Sequence, residues 1–191
     1  MARGVDGTWI ERLAAGAAIG GAEVVLPIGA AVLSVASAPI ERATATGWQR
    51  LAGAQVFGVQ TQMQRYRVAA DARVLHVRLA PGALAGLGVG EAAALADRAV
   101  ALAELGLPAD AWTRAVAADD AEAVAVALER RLAAAPGLHE AVARALAGHE
   151  APGVSERQLL RLFQGQVGVS LRTLRELARV RRAIAARGRG E

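Results

Sequence analysis

Side chains able to do chemistry are concentrated in Gly153-Val154-Ser155-Glu156-Arg157-Gln158-Leu159-Leu160-Arg161-Leu162-Phe163 and the residues just after it. Ser155 suits a helix N-cap. Its hydroxyl can accept from the N–H of Gln158, and the Gln158 side chain can reach back to the N–H of Ser155, which makes a capping box. Leu159, Leu162, Phe163 and Val167 recur at helical spacing and would bury one stripe. The opposite side presents Arg157, Gln158, Arg161 and Gln164, which from a helix in the major groove can reach base edges and phosphates. Gly165 weakens this helix near its end and Gly168 stops it. Ser170 then caps a longer arginine-rich helix, Leu171 to Ala186, on which Arg172, Arg175, Arg179 and Arg182 are candidates for phosphate contact. Spacing alone fits an amphipathic surface helix better than a DNA-reading one.

Other constellations carry less. The three histidines, His76, His139 and His149, are far apart in sequence and form no helical pair, so no metal site is expected. His76 reads as a half-exposed strand residue. A G-x-S-x-G nucleophile elbow is missing. Gly86-Leu87-Gly88-Val89-Gly90 lacks the G-x-G-x-x-G spacing of a phosphate loop and reads as a turn. Asp119-Asp120 suits a helix N-terminus better than a catalytic carboxylate pair. The expectation is a protein that is not an enzyme and needs no cofactor.

The elements that must position these residues change character along the chain. Residues 21–79 read as strands and turns. Val24-Val25-Leu26 and Val32-Leu33-Ser34-Val35 are β-branched runs separated by Pro27 and Gly29, and Trp48 to Val59 holds a turn and a further strand. Arg73 to Leu79 alternates, with Leu75, Val77 and Leu79 on one face and His76 and Arg78 on the other, and Pro81-Gly82 ends it. Beyond it the spacing becomes helical. Ala83 to Leu87 and Gly90 to Asp97 are short alanine-rich helical stretches. Pro108 breaks the chain and Asp110 can cap a helix start. Asp119 to Ala135 is a helix stopped by Pro136-Gly137, and Leu138 to Ala147 is another. Strands first and helices later predict an α+β chain, divided into a β-rich part over residues 1–107 and a helical part over 108–191.

Composition supports an intracellular reading without fixing a partner. The chain has 191 residues, 54% of them hydrophobic but only 3% aromatic, and no cysteine, so disulfides and thiolate metal sites are excluded. All 22 strongly basic residues are arginine, a bias that a GC-rich genome produces and that is not evidence of nucleic-acid binding. The charge distribution says more: residues 153–191 carry nine arginines and three acids, net +6, whereas the remainder is net −2. A basic end on a mildly acidic body suits contact with a polyanion, and equally a solubilising terminus. Asp6, Glu11 and Arg12 interrupt any signal-peptide core. Leu13 to Ala38 is nearly uncharged and contains Gly16 and Gly20 in a G-x-x-x-G, but Glu23 and Pro27 sit near its middle. A mid-membrane acid costs about 2.5–3.5 kcal/mol on insertion scales, so no membrane span is expected and a cytoplasmic location is.

The order of residue types gives a sharper expectation. Gly153-Val154-Ser155-Glu156-Arg157-Gln158-Leu159, then Arg161 and Phe163, then Val167-Gly168-Val169-Ser170, resembles the first helix-turn-helix of AraC-type transcription regulators. In that family the segment is the turn and recognition helix, and Leu171 to Ile184 resembles the linker helix that follows. Leu79-Ala80-Pro81-Gly82-Ala83 with Leu84 and Leu87 is similar, more faintly, to the step that ends the sensor-like domain of one AraC subgroup. The strand Glu23-Val24-Val25-Leu26-Pro27 and Gly58 fit that domain too. The resemblance implies a small cupin-like N-terminal domain that binds a small-molecule effector or mediates homodimerisation. It also implies a partial helix-turn-helix over 153–186, a recognition helix over 155–166 and double-stranded DNA as the partner. The implied DNA-binding residues are Ser155, Arg157, Gln158, Arg161, Gln164, Arg172, Arg175, Arg179 and Arg182. Two departures stand out. Gly148-His149-Glu150-Ala151-Pro152 is a poor helix where the family places a short one, so Leu138 to Ala147 must substitute across a longer turn. The sequence also stops at Glu191, so the expectation is a C-terminally truncated regulator with weakened DNA binding. The alternative is a degenerate regulator acting as an interaction or small-molecule-binding protein without DNA contact.

Overall fold

The structure is a computed structural model that describes residues 23–25 and 29–188. Its strands are β1 (Glu23–Val25), β2 (Val32–Ala36), β3 (Ile40–Thr44), β4 (Gly47–Leu51), β5 (Ala54–Phe57), β6 (Gln64–Arg67), β7 (Val74–Arg78) and β8 (Ala99–Ala101). The helices are α1 (Ala83–Gly86), α2 (Ala109–Ala117), α3 (Ala121–Ala133), α4 (Glu140–Leu146), α5 (Glu156–Val167) and α6 (Leu171–Gly188), with 3₁₀ turns at Ala92–Leu95 and Leu102–Leu105. The fold is mixed α+β, with most strands preceding the helices.

Two antiparallel four-stranded sheets form, in the orders β7-β2-β5-β8 and β1-β6-β3-β4. Alternation explains the first sheet. Leu33 and Val35 of β2, Val56 of β5 and Leu75 and Val77 of β7 share one face and are buried under the helices with Trp112, Val116, Val124 and Leu128. The other face turns toward the second sheet, where Ala36, Ile40, Phe57, Tyr66 and Val74 form a separate cluster. Phe57 and Tyr66 meet edge to face with centroids 5.2 Å apart. On the outer face of the second sheet the Arg67 guanidinium lies 4.3 Å from the Trp48 ring centre and is hydrogen-bonded to Glu41. That bond lowers the Glu41 pKa; desolvation opposes it, and the nearby charges of Arg67 and Arg50 add to the lowering.

Several expectations need correction. The chain does not leave β structure at Leu79: β8 pairs with β5 in the register Gln55↔Ala101 to Phe57↔Ala99. The short Ala-Val-Ala run lies among alanine-rich stretches, which hides its pairing from the sequence. Strands β3 and β6 also went unread. Asp110 does not cap α2; it lies in the helix's first turn, where its charge still suits the macrodipole. The helix expected from Asp119 begins at Ala121, with Asp120 as its N-cap accepting from the Ala123 N–H at 3.0 Å. Asp119 lies outside it at φ 66°, paired with Arg73 at 3.0 Å. The expected division after residue 107 falls between β8 and α2, whereas the first core is continuous across it. A second core belongs to α4, α5 and α6, with Val59 reaching in from the end of β5.

In the stretch Leu13 to Ala38, residues 13–22 and 26–28 lie outside the described residues, and β1 and β2 occupy the part that is described. Among the described residues no helix is long and apolar enough to cross a membrane.

Candidate nucleic-acid interface

Helix α5 is set by its own sequence at both ends. Ser155 is extended at φ −66°, ψ 154°, and its Oγ accepts from the Gln158 N–H at 3.3 Å. The reciprocal arm of the expected capping box is missing: Gln158 is exposed, and its side chain makes no bond to the Ser155 N–H. At the other end Gly168 adopts φ 98°, and its N–H donates to the carbonyls of Phe163 and Gln164. This left-handed stop is one that glycine takes without strain. Ser170 then caps α6, accepting from the Thr173 N–H at 3.0 Å.

The inner face of α5 is anchored as its spacing predicts. Phe163 is 0% exposed and Val167 4%, and both pack with Val142, Ala145, Val169 and Leu177. Leu159 and Leu162 are half-buried against the same cluster. The outer face carries Ser155, Arg157, Gln158, Arg161 and Gln164, all exposed. Leu160 shares this side and is 44% exposed, which the sequence reading did not consider. On α6, Arg172, Arg175, Arg179 and Arg182 are exposed and recur at three- and four-residue spacing, so they form one row. Arg172 is held by Glu176 one turn on, at 3.0 Å. All nine sequence-derived candidates are therefore exposed, in two groups on consecutive helices.

Helix α4 precedes α5, and its connection to α5 runs from Ala147 to Ser155. That is more than twice the three- to four-residue turn typical of a helix-turn-helix, by a rough count. The connection is held locally: Arg144 Nε donates to the Glu150 carbonyl at 2.9 Å, and the His149 N–H donates to the Arg144 carbonyl. His139 caps α4 through Nδ1, and its N–H donates to Gln166 Oε1 of α5 at 3.0 Å.

Sequence reasoning missed what α5 rests on. The 3₁₀ turn Ala92–Leu95 lies against it, and a Cβ on Gly168 would come within 3.0 Å of the Ala92 carbonyl oxygen. A Cβ on Gly29 would lie at ordinary contact distance from Leu177 and Leu174 of α6, 3.4 and 3.6 Å. Small residues at these seams were the available signal, but glycine is also what a turn requires.

A second group of polar side chains lies between the sheets. Ser34 stands opposite both Gln55 and His76 in register, so the three form a row across β7, β2 and β5. Ser34 Oγ, Gln55 Nε2 and Gln60 Oε1 are buried and have no hydrogen-bond partner. Gln60 Nε2 donates to the Tyr66 hydroxyl at 3.0 Å, and burial raises the Tyr66 pKa, opposed by that bond. Buried polar atoms without partners are unusual and mark places where water or a ligand is accommodated. Among the described residues no three acidic, histidine or cysteine side chains lie close enough together to hold a metal ion. Comparison with protein-family models, curated proteins and solved structures yields no match to this chain.

Proposed function

We propose that this chain is a DNA-binding transcription regulator of the AraC type, with α5 as the helix that enters the major groove. The observation that carries the reading is the two-sidedness of α5. Its apolar stripe is spent on a closed core, and its outward stripe holds two arginines and two glutamines able to reach base edges. The arginine row of α6 supplies phosphate contact, which gives affinity and orientation without sequence preference. In this reading the β-rich part is a cupin-like sensor acting in the cytoplasm. The orphaned Ser34, Gln55 and Gln60 atoms receive a small-molecule effector, and the chain pairs with a second copy so that two α5 helices contact one DNA. A rival reading, a degenerate regulator that binds protein, draws on Leu160 exposed amid the polar face and on the long α4–α5 connection.

Titration of generic and genomic-library duplexes at two salt concentrations separates the two. Arg179→Ala and Arg182→Ala should weaken binding to all duplexes alike, each lowering the salt slope by about one unit. Arg161→Ala should cost about 1–3 kcal/mol on a selected site and little on random DNA. No retardation of any duplex at low salt by the purified protein would refute DNA binding and leave the protein-binding reading.

A further inference from the structure

Residues 58–62 leave β5 and run between the inter-sheet cluster and the α4–α6 core, and their side chains divide between those two. Val59 is buried with Phe163 and Val167 in the α4–α6 core. Gln60, its neighbour, turns the other way and donates to Tyr66 between the sheets. The segment is tied along its length to residues 95–98. The Gly58 N–H donates to the Arg98 carbonyl at 3.0 Å, and the Asp97 N–H to the Val59 carbonyl at 3.1 Å. The Asp97 carboxylate accepts from the Thr61 N–H at 2.7 Å, from the Thr61 hydroxyl, and from the Gln62 N–H at 3.3 Å. Asp97 holds φ 56°, a left-handed conformation that aspartate and asparagine tolerate and alanine does not. A Cβ on Gly58 would overlap the Leu95 carbonyl, so the two segments lie in direct contact. Just upstream, the turn Ala92–Leu95 is the surface against which α5 and Gly168 rest.

We propose that the Gly58–Gln62 segment, pinned by Asp97, couples the space between the sheets to α5, and that Asp97 is a positioning residue for that helix. Gln60 meets the interior and Val59 meets Phe163, so any displacement of one is carried to the other through a single peptide bond. The regulatory meaning rests on the DNA-binding reading; the mechanical coupling does not.

The test is hydrogen–deuterium exchange of the full chain, comparing peptides from α5 with peptides from α3, which packs in the other core. Asp97→Ala removes the acceptor for Thr61 and Gln62. Asp97→Asn keeps an acceptor oxygen and the left-handed backbone. Tyr66→Phe removes only the hydroxyl that receives Gln60. Tyr66→Phe should speed exchange in α5 by roughly threefold to tenfold, the range of one net hydrogen bond. Asp97→Ala, which loses three accepted bonds and strains the backbone, should speed it by roughly tenfold or more, and both should leave α3 unchanged. Asp97→Asn should stay near wild type. The coupling is overturned if α5 is unmoved in either variant, or if α3 and α5 change together, as a general loss of stability would produce. Duplex retardation by the same proteins forms a separate arm. A wild-type chain that retards no DNA refutes the DNA reading alone, and the exchange data still decide the coupling.

Discussion

Truncating Phe163 to alanine tests the anchoring of α5 most directly. The ring is 0% exposed and meets side chains from α4, α6 and the end of β5. Burying such a side chain contributes about 1.5–3 kcal/mol from transfer alone. The void left behind adds to this, and truncations of this kind cost about 3–5 kcal/mol in all. The upper half of that range is expected, because collapse into the void is hindered. Val59 is tied down through the Asp97 contacts, and even a Cβ on Gly168 would lie 3.0 Å from the Ala92 carbonyl oxygen, so α5 has little room to shift inward. Urea unfolding followed by circular dichroism measures the loss as a lower midpoint at unchanged slope. Leu160→Ala on the same helix is the control; as a 44% exposed position it should change stability by no more than about 0.5 kcal/mol. A loss below about 1 kcal/mol for Phe163→Ala would refute the packing, since a ring outside a closed core leaves no void.

Gly168→Ala should destabilise by about 1–2 kcal/mol from the left-handed φ of 98°, plus the cost of moving the Ala92 carbonyl, again read by urea unfolding. Tyr66 gives a pH dependence. Its folded-state pKa is raised above 10.0, so the folded chain holds the phenolic proton longer than the unfolded one, and stability should fall as pH rises from about 10 through the folded value. As the chain's single tyrosine, it can be followed by tyrosinate absorbance, and Tyr66→Phe should remove this part of the alkaline loss. A Tyr66 that titrates at its ordinary value would contradict its burial against Phe57 and Gln60.

What was legible in the sequence was whatever is decided locally. Helix α5 was readable because its cap, stripe and terminating glycine lie within one short stretch, and the same holds for β2, a compact β-branched run, and β7, whose faces alternate. Strands β3 and β6 escaped because Ile-Glu-Arg-Ala-Thr and Gln-Arg-Tyr-Arg carry charge on a solvent-facing side and little apolar weight on the other. Their pairing is settled by cross-strand contacts, such as Arg67 with Glu41 and Trp48, that no window of sequence contains. The seat of α5 was hidden for the same reason: Ala92, Val59 and Asp97 are far from residues 156–167 and have unremarkable local spacing. The difference bears on function. The outward residues of α5 are exposed, so stability constrains them little, and Arg157, Gln158, Arg161 and Gln164 can answer to a partner alone. The inward residues answer to the α4–α6 core, to which Val59 also contributes. Substitutions on the two faces should therefore separate cleanly, outward ones moving affinity at constant stability and inward ones moving stability first. A helix that served only to cover a core would show no such division, because its outer face would be indifferent to every partner as well as to folding.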